Sequence, residues 1–150
     1  MAISQAMCTS FKVEILDGIH AFGTTVVRAS TAADTFKIAL YTSSATLDAT
    51  TTTYSTSNEV PSTGGYSAGG NTLTISQAPT STSTTAWLDF ADSTWSAATI
   101  TANGALIYNS SQSNSAVAVL AFGGDKTSTA GDFTIVFPAA NSTSAIIRIA

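Results

Sequence analysis

Along this 150-residue chain the spacing of apolar and polar positions changes once, near Gly23. From Phe11, apolar side chains recur at Ile15, Leu16 and Ile19, the stripe of a helix, while Lys12, Glu14 and Asp17 fall off it. Thr9 or Ser10 can cap the start and Gly23 lies just past the far end, so the pattern predicts a short amphipathic helix over about 10–21. A strand competes for the same residues, because Phe11, Val13 and Ile15 also alternate with Lys12 and Glu14.

Beyond Gly23 the period becomes that of strands. TTVVRAS (24–30) is β-branched and short, and TFKIALYTS (35–43) sets Phe36, Ile38 and Leu40 against Lys37, Ala39 and Tyr41. Residues 44–58 read as a connection, and the glycines and proline of 60–71 predict a loop. Further strands are predicted at 72–76, 84–91, 98–109, 115–123, 132–138 and 143–149. Ala78-Pro79-Thr80 breaks the chain before a Ser/Thr tract, and 123–132 reads as a polar excursion between two apolar runs. Asn103-Gly104 signals either a hairpin turn or a bulge inside a strand. AVAVLAF (116–122) is apolar on both faces, which calls for burial on both sides, within the domain or under a partner.

Short strands at close intervals, without helical periods between them, predict a mainly β fold, an antiparallel β-sandwich or barrel of jelly-roll type. The chain then divides into an N-terminal helix or arm over 1–22 and a single β domain over 23–150. A domain of this size buries roughly 70% of its unfolded surface, enough without disulfides or metals.

Composition sharpens this picture. Hydrophobic residues make up 44% of the chain and charged residues 9%, with forty-seven Ser and Thr supplying most of the polarity. Typical soluble proteins carry about 25% charged residues. A surface so short of hydrated charges favours association, and interface cores are depleted in the same residue types. Lys12, Arg28, Lys37, Lys126 and Arg148 are scattered and the net charge is −4, which disfavours nucleic acid and anionic membranes as partners. Cys8 is the one cysteine, so no internal disulfide forms. No apolar run approaches the roughly 20 residues of a membrane span, and the first residues lack the plan of a signal peptide, so synthesis in a cytoplasm is expected.

Candidate chemistry is sparse. His20, the single histidine, sits where it can cap the end of the predicted helix. Cys8 reads as a small buried hydrophobe. Asp89 and Asp92 with Ser93 and Thr94 could offer oxygens to a cation, but hard cations want six or more ligands and no calcium-loop motif is present. Glu59 reads as a solvated turn charge. The loop GGYSAGG (64–70) lacks the lysine and following helix of a phosphate cradle, and its Tyr66 is expected to be exposed for protein contact. No cofactor, no metal and no enzymatic activity are expected. Phe11, Ile15, Ile19, Tyr66, Val117 and Val119 are the candidate protein-contact residues. Trp87, Trp95 and Tyr108 offer a competing reading as rings that stack on a glycan.

Two long segments, TFKIALYTSSATLDATTTTYSTSNEV (35–60) with GGYSAGGNTLT (64–74), and WLDFADSTWSAATITANGALIYN (87–109) with AVAVLAFGGDKTSTAGDFTIVFP (116–138), resemble small virion proteins of tailed bacteriophages. The N-terminal segment 10–20 is similar as well. The resemblance implies a structural component of the virion, a capsid cement or decoration protein by preference, since the chain lacks the repeats of a fibre. The partners expected of such a protein are copies of itself, a trimer being one plausible form, and the major capsid protein or other virion proteins. A tail, connector or receptor-contact module is the alternative. The resemblance carries over no catalytic residue.

Overall fold

The computed structural model describes residues 2–16, 19–23 and 33–150. It is mainly β, with 51% of residues in strands and 3% in helix, arranged as two antiparallel sheets that do not close into a barrel. The sandwich alternative of the sequence reading therefore holds. The predicted strand at 24–30 lies outside the described residues.

β1 (Ala6–Met7) and α1 (Thr9–Leu16) come first, followed by β2 (Phe36–Tyr41) and β3 (Asn71–Thr72). Then come β4 (Ile75–Thr82), β5 (Thr85–Phe90), β6 (Ser93–Asn109), β7 (Ser115–Ile135) and β8 (Ile147–Ile149). The larger sheet has the order β1-β7-β6-β2-β3 and the smaller β4-β5-β8. α1 bears out the helical alternative over Thr9–Leu16, with Phe11 wholly buried and Ile15 packed at the core's margin, but residues 19–21, which the pattern included, are not helical. The segment before residue 23 shares the core of the strands: β1 pairs with β7 through Ala6↔Val119 and Met7↔Ala118.

An aromatic chain joins the two sheets. Phe22 stacks on Phe36 of β2 at 4.2 Å and lies 6.4 Å from Phe90 of β5, which in turn meets Phe137 at 5.9 Å. Such pairs add to the area each ring buries.

The longest departure from the sequence reading is β7. The polar excursion at 123–132 is ladder, so the two predicted strands merge into one that pairs with β6 from Ser115 to Ile135. Cross-strand hydroxyl pairs replace apolar alternation there, as between Thr94 and Thr134 Oγ1 at 2.9 Å and Thr101 and Thr127 at 3.2 Å. Asn103-Gly104 lies inside β6, where the register shifts between Ala102 and Gly104, so the bulge alternative holds. β4 runs through Pro79 because it is an edge strand and its ladder shifts register between Gln77 and Thr80, where a missing N–H is tolerated. The predicted strand at 143–149 shortens to β8. Asn141 Oδ1 accepts from Thr143 N and Ser144 N, and that turn occupies the residues before it.

Candidate functional site

Four of the six candidate contact residues are spent inside the chain. Phe11, Val117 and Val119 have no exposed surface and Tyr66 retains 3%. The doubly apolar strand at 116–122 is thus covered within the domain, by β1, α1 and β6. Ile15 and Ile19 are half-buried. The expectation of an exposed Tyr66 fails because its hydroxyl has partners indoors: it accepts from Leu40 N at 2.9 Å and donates to Glu59 Oε1 at 2.6 Å.

Glu59 is the residue that the sequence reading misplaced. Only 9% exposed, it accepts from Tyr54 Oη at 2.7 Å and from Gly69 N at 2.7 Å as well as from Tyr66. Tyr108 closes the ring by donating to Gly69 O at 2.9 Å, and it stacks on Tyr54 at 4.5 Å. Gly70 completes the turn with a φ of +66°, and a Cβ there would collide with the Ile38 carbonyl. Burial, reinforced by the Glu59 charge, raises the Tyr108 hydroxyl to about 12 and pushes that of Tyr66 well beyond the ordinary tyrosine range. These hydroxyls stay protonated and act as fixed donors. The arrangement is a buried clasp holding the 59–70 loop against β2 and β6. The one signal in the sequence was a scarce carboxylate set among tyrosines.

The other chemical candidates are dispersed. His20 meets the end of β6: its Nδ1 lies 3.0 Å from Asn109 Nδ2, which can only donate, so Nδ1 accepts. Its ring meets Phe11 at 4.8 Å. Asn109, fully buried, also donates to Asp34 Oδ2 at 2.8 Å and so ties the N-terminal segment to the end of β6. Cys8 is fully buried, as the sequence reading expected. Asp89 is 1% exposed, with Oδ1 accepting from Phe90 N and Oδ2 lacking a hydrogen-bond partner, and burial raises its pKa. Asp92 instead accepts from Phe137 N at 2.9 Å. Among the described residues no group of three His, Cys, Asp or Glu could hold a metal ion. Trp95 is 5% exposed, held between Tyr66 at 5.9 Å and Phe133 at 6.2 Å, so its ring is closed to a sugar.

What the molecule does present is a β ribbon. β6 pairs with β2 only over 104–109, so 93–102 and their β7 partners extend as two strands. The inner face carries Trp95, Ala98, Ile100 and Phe133, all buried, and the 64–65 turn lies against it through Thr99 N to Gly64 O at 2.7 Å. The outer face is hydroxyl and amide, with Asn103 Nδ2 donating to Asp125 Oδ1 at 2.8 Å and Ala97 N to Asp132 Oδ1 at 3.2 Å. Past Val119, where β1 pairs with it, β7 has no described strand along its far edge, and a trough of about 490 Å³ lies against it. Sequence reasoning missed this edge because it divided β7 in two.

No family profile, curated protein or solved structure matches this chain. No helix among the described residues is long and apolar enough to cross a membrane.

Proposed function

We propose that the chain is a non-enzymatic structural protein of a tailed-phage virion, a capsid cement or decoration protein that stabilises the head through protein contacts. The observation that carries the reading is a β fold whose outer strand faces are clothed in Thr and Ser, with 9% charged residues in the whole chain and open sheet edges. Surfaces of that kind cost less to desolvate than charged ones, provided that the partner hydrogen-bonds the hydroxyls it covers. The resemblance of 35–74 and 87–138 to phage virion proteins supplies the assembly, and its partners are copies of the chain and the major capsid protein.

The dispersal of His20, Cys8, Asp89 and Asp92 supports a structural role, since nucleophile, base and orienting groups must lie within hydrogen-bond reach of one another to work. The closed ring of Trp95 argues against the glycan reading.

The test is co-sedimentation of the purified chain with emptied phage heads and, separately, with tails. Saturable binding to heads is the expected result. Binding to tails alone would move the protein to the tail or connector, and binding to neither would overturn the proposal.

A further inference from the structure

We infer that the loop over residues 42–58 forms a binding cup for a neutral saccharide unit. The stretch reads as a plain connection in the sequence, yet it surrounds a cavity of about 420 Å³, lined by the loop and by Tyr41 before it. Small-molecule sites span roughly 300–1,000 Å³, and this volume falls among them.

The cup has fixed walls. Thr42 closes the loop, its N and Oγ1 both donating to Asn58 O, at 3.0 and 3.1 Å. One limb is tied to the N-terminal segment, where Ser4 N donates to Leu47 O at 2.9 Å. The same limb meets the start of β7, where Ala116 N donates to Thr52 O at 3.0 Å. The other limb is held by Tyr41 Oη, which donates to Ser55 O at 2.6 Å. Surface loops with closed ends are commonly packed by their own side chains. Here both limbs are anchored from outside, so a guest enters without the cost of ordering the backbone.

The lining selects the guest. Buried Tyr41, Ala45 and Leu47 supply its apolar part, and exposed hydroxyls with one amide supply the rest. Among the described residues, the side chains of Thr52, Ser57 and Asn58 have no hydrogen-bond partner, and neither has Asp48 Oδ2. Asp48 Oδ1 accepts from Thr50 Oγ1 at 2.6 Å and from Thr50 N at 2.7 Å. Those bonds hold the carboxyl below its ordinary range, so it stays an ionised acceptor. An anionic guest meets that charge with no Lys or Arg in the lining to offset it. A hard cation finds a single carboxylate where it wants six or more oxygens. A sugar ring suits all of the lining, since its hydroxyls both donate and accept and its C–H face can lie on Ala45 and Leu47. The cup differs from the ring-stacking glycan site that the burial of Trp95 argues against, because it uses no exposed aromatic face. The inference adds a saccharide contact to the proposed structural role and does not rest on it.

The test is a titration of the isotope-labelled chain with glucose, galactose, mannose and N-acetylglucosamine at millimolar concentrations, followed through backbone amide NMR shifts. Saturable shifts confined to residues 41–58 and their anchors, with at least one of these sugars, are the expected result. Thr52→Val removes an exposed hydroxyl at nearly constant shape. Asn58→Gly removes the amide at a φ of +59°, which glycine adopts without strain. Each should weaken binding about three- to tenfold, the worth of one net hydrogen bond, while the spectrum of the β core stays unchanged. Should Asn58→Gly disturb the loop, Thr52→Val alone decides. An unchanged affinity in the variants would overturn the inference, as would shifts scattered over the surface or no saturable shift with any of the sugars. Equally tight binding of N-acetylneuraminic acid, which is anionic, would overturn it too. Co-sedimentation with heads is independent of every one of these outcomes, so either proposal can fail alone.

Discussion

Tyr66 shows how one hydroxyl can set the fate of a loop. It satisfies the Leu40 N–H and at the same time supplies a donor to Glu59. Tyr66→Phe leaves a buried N–H unpaired and takes one of three donors from the carboxylate, so it should cost about 1–3 kcal/mol in denaturant unfolding. Tyr54→Phe removes a donor to the same carboxylate at a site open enough for water to replace it, and should cost less. Equal losses would show that the clasp is not the buried network described above. Asp89 predicts a pH dependence. Burial raises its folded pKa above the ordinary 3.8, so its contribution is fully present below that value and is lost as pH rises through the folded pKa. Asp89→Asn keeps an acceptor for Phe90 N but cannot ionise. The variant should therefore gain on the wild type in melting temperature as pH rises above about 4, and parallel curves would refute this. Beyond the setting of Glu59 among tyrosines, neither role was legible in the sequence, because burial of Glu59 and Asp89 depends on which loop lies over them.

Elements were legible where one face of a strand meets one core. Phe36, Ile38 and Leu40 alternate, and β2 forms where they do, with Ile38 opposite Ile107 and Leu40 opposite Ala105. Reading failed where a strand lacks that contrast. In the ribbon, hydroxyl pairs across β6 and β7 do the work of apolar ones, so a Ser/Thr run looked like loop. Pro79 looked like a break because the edge position of β4 cannot be read from composition. The β4–β5 hairpin yields a prediction at this scale. Thr82 pairs with Thr85, so Ser83 and Thr84 make a two-residue turn, and Ser83 sits at a φ of +56°. That position favours glycine in tight hairpins. Ser83→Gly should raise stability by about 0.5–1 kcal/mol, since relief of the left-handed strain outweighs the entropy that glycine loses on folding. Thermal unfolding that shows a loss instead would mean that the turn is not strained.

For the whole molecule, the mainly β class and the single shared core followed from patterning, while the open edge of β7 did not, since an edge is defined by which strands are absent from its side. Charge scarcity has its consequence at this scale. With five basic and nine acidic residues in the chain, long-range attraction can add little to the capture of a partner. Binding to phage heads should then rest on desolvated Thr, aliphatic and backbone contacts, which salt does not screen. Raising salt toward about 1 M shrinks the screening length to roughly 3 Å and erases interactions between separated charges. Head binding measured by co-sedimentation should therefore hold its affinity across that range, and hydrophobic contacts could tighten it slightly if the added salt is a sulfate. A steep loss of head binding with salt would mean that the few charges, and not the hydroxyl-clad faces, carry assembly.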